Sequence, residues 1–221
     1  MHFEVLVEDA SGKIALDTLI EKILGPKDKD HTWRIKSYKG IGRIPQDLRK
    51  NPADPSKRLL LENLPRLLKG YGRTYQNDPN VTVIIVVDLD NRDCLIFKKE
   101  LSKILKQCNP APNTLFRIAI EELESWFMGD PQAIKSAYPR ADSRALDSYI
   151  QDSICGTWEK LANTVYTGGA AALIRRGWPS IGQIKCEWAE KITPYIDVQK
   201  NKSRSFQVFR DGLARLASSM N

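Results

Sequence analysis

The sequence predicts an α/β fold: a mostly parallel sheet flanked by helices, followed by a helical C-terminal elaboration. Three observations carry this reading. Strand-like and helix-like segments alternate through the first 130 residues. VTVIIVVD (81–88) is an unbroken β-branched run of the kind buried on both faces of a parallel sheet. After Asp130 only short helical patterns remain.

Each element has its own signal. FEVLVE (3–8) is a short run of strand formers, and TWRIKSY (32–38) alternates as a strand. Between them, KIALDTLIEKIL (13–24) sets Ala15, Leu19 and Ile23 beside Leu16, Ile20 and Leu24 at helical spacing, and stops at Gly25-Pro26. KGIGRIPQDLRKNPADPS (39–56) is dense in glycine, proline and charge, which predicts a long surface loop. RLLLENLPRLLKGYG (58–72) is helical in period, with Pro65 marking a kink or a break. NRDCLIFKKELSKILKQC (91–108) reads as an amphipathic helix and NTLFRIAI (113–120) as a further strand.

Beyond Asp130, Gln132–Ala137, Thr157–Thr164 and Ile181–Ile192 are helical patches separated by loops such as TGG and RGWPS. In SFQVFRDGLARLASS (205–219), Phe206, Phe209, Leu213 and Leu216 share one helix face. The expected division is an α/β core over 1–130 and a helical layer over 131–221 packed on it.

Composition narrows the chemistry. No apolar run approaches the roughly 18 residues of a membrane span. The N-terminus lacks the basic, apolar and small-residue pattern of a secretory signal, so the expectation is a cytoplasmic protein without a membrane segment. Cys94, Cys108, Cys155 and Cys186 form no CxxC pair, and His2 and His31 have no partner at metal-ligand spacing. Structural zinc, a disulfide framework and a Ser-His-Asp triad are therefore set aside, leaving carboxylates and lysines to carry any catalysis. The net charge of +7 favours anionic partners, nucleic acid first.

The SGK of EDASGKI is not a phosphate loop. The first glycine of GxxxxGK[ST] is missing, as is the hydroxyl after the lysine. The acids are more informative. Asp88 and Asp90 end a buried strand two residues apart, so their side chains leave on one side if the strand runs that far. Glu8 ends another strand. In a parallel sheet the three acids converge at the carboxyl edge, where open α/β sheets bind ligands, and a hard divalent cation such as Mg²⁺ or Mn²⁺ relieves their repulsion.

AIEELESWFMGD adds a further acidic cluster. Glu122 and Glu124 share a face if the strand continues, whereas Glu121 and Glu124 do so if a helix begins at once. Lys39, Arg43 and Lys185 lie in glycine-bearing segments from which a cation can reach a phosphate. Lys99, Lys103 and Lys106 read as a solvated helix face.

A strand ending in Glu followed by a strand ending in hhhDxD (h apolar) resembles the Toprim domain of topoisomerases, primases and overcoming-lysogenization-defect (OLD) type nucleases. More closely, LVEDAS, YKG, LENLPRLLKGYG, IIVVDLDNRDC, RIAIEELESWFMGDPQAIKSAYP, GTWEKL, IKCEWAEKI and NKSRSFQVFRDGL together resemble an uncharacterised bacterial domain-of-unknown-function family of Toprim-like proteins. Its members are often encoded beside an ABC/SMC-type ATPase.

The resemblance implies a Toprim-like fold and a divalent-metal site that cleaves nucleic-acid phosphodiesters, in defence against phage or foreign DNA with the ATPase as partner. It implies Glu8 as the first acid and general base, Asp88 and Asp90 as metal ligands, Glu122 and Glu124 as ligands of a second cation, and Lys39 or Lys185 at the phosphate. Asp9 departs from the glycine common at that position. Two alternatives stand beside the nuclease: a haloacid-dehalogenase-like phosphotransferase with Asp88 as nucleophile, and a non-catalytic Toprim-like binding module.

Overall fold

A computed structural model of the chain describes residues 1–48, 52 and 54–218. The four runs of strand formers become β1 (His2–Val7), β2 (Thr32–Ser37), β3 (Val81–Asp88) and β4 (Thr114–Ala119). They pair in the order β2-β1-β3-β4, every pair parallel. Val7 lies opposite Val86 and Asp88 opposite Ala119, so the carboxyl ends of β1, β3 and β4 are level.

The helix α1 (Ala10–Leu24) returns the chain to β2 over one face, and α2 (Leu60–Tyr75) and α3 (Cys94–Lys106) cross the other. Right-handed crossovers require this, because the chain steps from β1 to one side and then back past β1 to the other. Alternation along the strands then feeds two cores. Phe3, Val5, Val7, Ile84 and Val86 face α1, whereas Leu6, Val83, Ile85 and Val87 face α2 and α3.

The remaining helices are α4 (Glu124–Met128), α5 (Pro131–Ala137), α6 (Ser143–Asp147), α7 (Thr157–Val165), α8 (Gly169–Arg176), α9 (Trp178–Ile192) and α10 (Arg204–Ser218). They complete the α1 side: α9 packs along α1 and α10 beside β4. Trp126 is wholly buried against Phe206 and Phe209, at ring centroid distances of 5.5 and 5.0 Å, and its indole N–H donates to Ser205 Oγ at 2.9 Å. One apolar cluster thus runs from Phe3 to Leu213.

Three local readings change. Pro65 neither breaks nor ends α2, because Leu61, Leu64, Pro65 and Leu68 are all buried in the α2–α3 core and that packing outweighs one missing hydrogen bond. Trp178 and Pro179 of RGWPS are not loop but the first two residues of α9, where a proline leaves no intrahelical donor unmet. The loop over 39–56 begins by binding the start of α2, Leu60 N–H to Gly40 O at 3.0 Å and Leu61 N–H to Ile41 O at 2.8 Å. Residues 49–51 and 53 of that loop, and Ser219 of the last helical pattern, lie outside the described residues. Among the described residues no helix is long and apolar enough to cross a membrane.

Glu4 ties three elements together. Its wholly buried carboxylate accepts from the Arg34 guanidinium on β2 and from the hydroxyls of Tyr71 and Tyr75 on α2, at 3.2 and 3.0 Å. Burial alone raises a carboxyl's pKa, but Arg34, Lys36 and Tyr75 together hold Glu4 below its ordinary value. The sign follows: the stabilisation is full at neutral pH and is lost as pH falls below about 4.5. Glu4→Gln is expected to lower stability at pH 7 by about 1–3 kcal/mol and to flatten the acid limb of a chemical-denaturation series between pH 5 and 3.

Candidate functional site

β1 is the strand at which the chain reverses its direction of travel across the sheet, so the crevice between the carboxyl ends of β1 and β3 is the topological switch point. Glu8 and Asp88 stand at that crevice. Glu8 follows β1 directly, and its carbonyl accepts from Gly40 N–H at 3.0 Å, which lays the YKG loop against the strand end. Asp88 closes β3 on the face occupied by α1, α4 and α9.

Asp9 caps α1, accepting from Gly12 N–H at 2.7 Å and Ser11 Oγ at 3.0 Å. A Cβ on Gly12 would stand 2.6 Å from Val7 Cγ2, so the glycine of SGK serves the close seating of α1 on β1. Lys13 is exposed.

The β4 end is turned sharply. Glu121 takes φ 58° and Glu122 N–H bonds back to Ile120 O at 2.8 Å before α4 begins. Glu121 is thereby swung away from the crevice, onto the backbone N–H groups of Cys155, Gly156 and Thr157 at 2.8–3.1 Å and onto the Thr157 hydroxyl. Against the raising effect of burial, those donors hold its carboxyl below the ordinary value. Glu121 is an anchor for the start of α7. Glu122 and Glu124 instead meet Lys185 of α9, whose ammonium lies 2.9 and 3.2 Å from their carboxylates.

Lys185, read from the sequence as a phosphate contact, is drawn into the acids instead, and it is mostly buried. Burial would lower its pKa, but Glu124, Glu122, Asp88 and Asp9 outweigh that and keep it protonated. The acids respond to burial first. Glu8 is pushed up to about 7, with Asp9 and Asp90 adding to the rise and Lys185 opposing it. Glu124 is also raised to about 7 by burial, with Lys185 opposing and Glu122 reinforcing. Asp88 lies well above its ordinary value through burial and the charge of Glu8, and burial likewise raises Glu122.

Asp90 departs from the expectation. β3 ends at Asp88, Asp90 takes a left-handed φ of 51°, and its half-exposed carboxylate pairs with Arg92 at 2.8 Å. It adds charge near Glu8 rather than extending the line of Asp88. Lys39 and Arg43 are exposed on the loop beside Glu8, and Lys39 N–H bonds Arg58 O at 3.0 Å. Asp9 is the member that sequence reasoning overlooked. Its cap position was legible as an acid two residues before the helix-opening Ser-Gly, a strong N-cap signal.

The chemistry of this donor set fits a hard cation. Carboxylates from β1, β3 and the β4–α4 turn face one buried lysine, and among the described residues Glu8 Oε2 and Glu124 Oε2 are buried without a hydrogen bond. The arrangement is open rather than a closed cage: among the described residues no three His, Cys, Asp or Glu side chains are grouped tightly enough to hold an ion. Lys185 occupies the middle ground between Glu122 and Glu124.

The family model of the domain of unknown function DUF4276 matches residues 7–214. The chain belongs to that family. The matched span holds every acid of the cluster together with Lys185. Comparison with curated proteins and with solved structures gives no match.

Two outcomes follow. In the cation-free protein, folded Glu8 and Glu124 retain protons that the unfolded chain releases between pH 4.5 and about 7, so stability is expected to fall as pH rises through that window. Saturating Mg²⁺ or Mn²⁺, at ~100 times its Kd, should raise Tm by about 5–10 °C at pH 8 and by much less at pH 5, read by differential scanning fluorimetry. Glu121→Ala should cost about 2–4 kcal/mol in denaturant titrations, because it leaves several buried donors at the start of α7 unmet.

Proposed function

We propose that the chain is a divalent-metal-dependent nuclease hydrolysing the phosphodiester bonds of DNA or RNA. The observation that carries the reading is the cluster itself. Glu8, Asp88, Glu122 and Glu124 are buried together at a sheet's switch point around one protonated lysine, which pairs with Glu122 and Glu124 and leaves Glu8 Oε2 buried without a hydrogen-bond partner among the described residues. Four buried acids against one lysine leave an excess of acidic groups that a cationic ligand would complete. The net charge of +7 supports an anionic substrate, and the resemblance to Toprim-like nucleases supports the same reaction class.

Glu8 and Asp88 would hold one Mg²⁺ or Mn²⁺, with Asp90 joining them only if it gives up Arg92, and Glu122 and Glu124 would hold a second. A bound cation supplies charge neutralisation at the reacting phosphate and an acidified water. The chain's own groups do the rest. Glu8, with a pKa near 7, accepts the proton of the attacking water at its free Oε2 as the new P–O bond forms. Lys185 places a fixed positive charge where the phosphate oxygens gain charge, and the departing sugar oxygen takes its proton from solvent as the old P–O bond breaks. The ammonium must leave the Glu122–Glu124 pair, or share it, as substrate enters. Lys39, on the loop over Glu8, is a second phosphate contact. An ABC/SMC-type ATPase partner and a role in defence against phage or foreign DNA belong to the same reading.

The test is cleavage of labelled DNA and RNA with Mg²⁺, Mn²⁺ or chelator. Asp88→Asn and Glu8→Gln are each expected to reduce cleavage at least 10²-fold while leaving oligonucleotide affinity within about threefold. Cleavage that survives chelation would overturn the reading. An acid-labile phosphoryl group on Asp88 would replace it with the phosphotransferase, and cation binding without cleavage, even beside the neighbouring ATPase, would replace it with the binding module.

A further inference from the structure

The helix that delivers Lys185 begins with an unusual surface residue. Trp178, the first residue of α9, is 73% exposed, whereas Trp33, Trp126, Trp158 and Trp188 are all buried. An exposed indole beside two guanidinium groups offers a stacking face next to positive charge. Its ring leans on Trp158 with centroids 6.3 Å apart, which fixes it while leaving its outer face free.

The position relative to the acids follows from helix geometry. Trp178 and Lys185 are seven residues apart, hence on nearly the same face and about 10 Å apart along the axis. Gly182 lies between them on that face, and a Cβ there would meet nothing within 4 Å, so the lane from indole to ammonium is unobstructed backbone. At the Trp178 end, Arg175 and Arg176 close α8 on the exposed side of the same corner, and Arg176 is oriented by the Tyr166 hydroxyl. From Lys160 to Cys186 the sequence contains no Asp or Glu, but carries Lys160, Arg175, Arg176 and Lys185. The lane has arginines at its start, neutral residues between, and Lys185 at the acid cluster where it ends.

We infer that this corner is a binding track for single-stranded nucleic acid, with one base stacked on Trp178 and phosphates held by Arg175 and Arg176 as the strand passes along α9 to Lys185. The inference rests on the nuclease reading for what the strand is delivered to. A free aromatic face beside guanidinium groups suits an unpaired base, because every base has a π-face to stack and only an unstacked one offers it. A duplex presents phosphates alone, which would use the arginines and leave the indole without a role. An apolar protein partner would use the indole and leave Arg175 and Arg176 without a role.

The test is equilibrium binding of labelled oligo(dT), oligo(U) and a duplex of equal length, in chelator so that no strand is cut. Trp178→Ala should weaken single-strand binding about tenfold, and Trp178→Phe should restore most of it. Bound strand should quench the emission of the one exposed indole. Arg175→Ala with Arg176→Ala should reduce the slope of log K against log salt by about 1.4. Both positions are surface sites, and unchanged circular dichroism confirms folding. Equal single-strand affinity in Trp178→Ala, a preference for duplex with unquenched indole, or no binding of either form overturns the inference. The two proposals separate cleanly: cleavage that persists with a binding-neutral Trp178→Ala sinks the track alone. These binding shifts in a protein that never cleaves sink the nuclease alone.

Discussion

The arrangement of this protein turns on one buried ammonium group. Lys185 reaches from α9 to Glu122 and Glu124 beyond β4, and feels Asp88 at the end of β3 and Asp9 at the start of α1. Sequence-distant segments are thus held at one point by a single charge that is itself expensive to bury. Without it, the acids would have only each other, and protonation would be their cheapest relief. With it, part of the cluster keeps its negative charge instead of becoming a neutral patch of core. The helix that carries Lys185 packs along α1 through Ile181, Trp188, Ala189 and Ile192, so the same helix serves the acid cluster and the C-terminal packing.

The fold was largely legible because it depends on patterns that local sequence carries well. The β-branched run at 81–88 becomes a strand over its full length. The period of 13–24 buries Ala15, Leu16, Leu19 and Ile20 while Ile23 and Leu24 stay half-buried, and that of 91–108 buries Phe97, Leu101 and Ile104. Order and direction of the strands then follow from short crossovers of one hand. What failed was punctuation. Pro65 and Pro179 read as breaks, but one is absorbed by burial on all sides and the other sits where a helix start has no donor to lose. The short helices α6 and α8 gave no signal, since five to eight residues hold too few turns to declare a period.

The site was legible in its acids but not in their directions. Glu8 and Asp88 could be brought near each other because strand ends are nearly level in a parallel sheet; the register leaves them one residue out of step, and the charge of Glu8 still acts on Asp88. Asp90, Glu121 and Glu122 could not, because their orientation depends on two non-glycine residues in left-handed conformation, a choice made by tertiary contacts. Asp90 N–H bonds Glu121 O at 2.9 Å, so the two unusual residues support one another across adjacent strand ends. Lys185 was visible only as a lysine near a glycine. Its partners lie some sixty residues away, and no local pattern encodes that meeting.

The continuity of the α1-side core has a consequence for how the chain is made. Phe3, Val5, Val7, Ile84 and Val86 are buried against helices that include α9 and α10, which are the last long helices to be synthesised. The sheet can pair once β4 has emerged, when α1 already lies on this face but α9 and α10 do not. Until those two helices emerge, β4 and the outer side of α1 hold apolar surface in water, the condition in which association competes with folding. Late closure also means that the acid cluster gains Lys185 only when the rest of the molecule exists, so an incomplete chain carries the acids without their counterion.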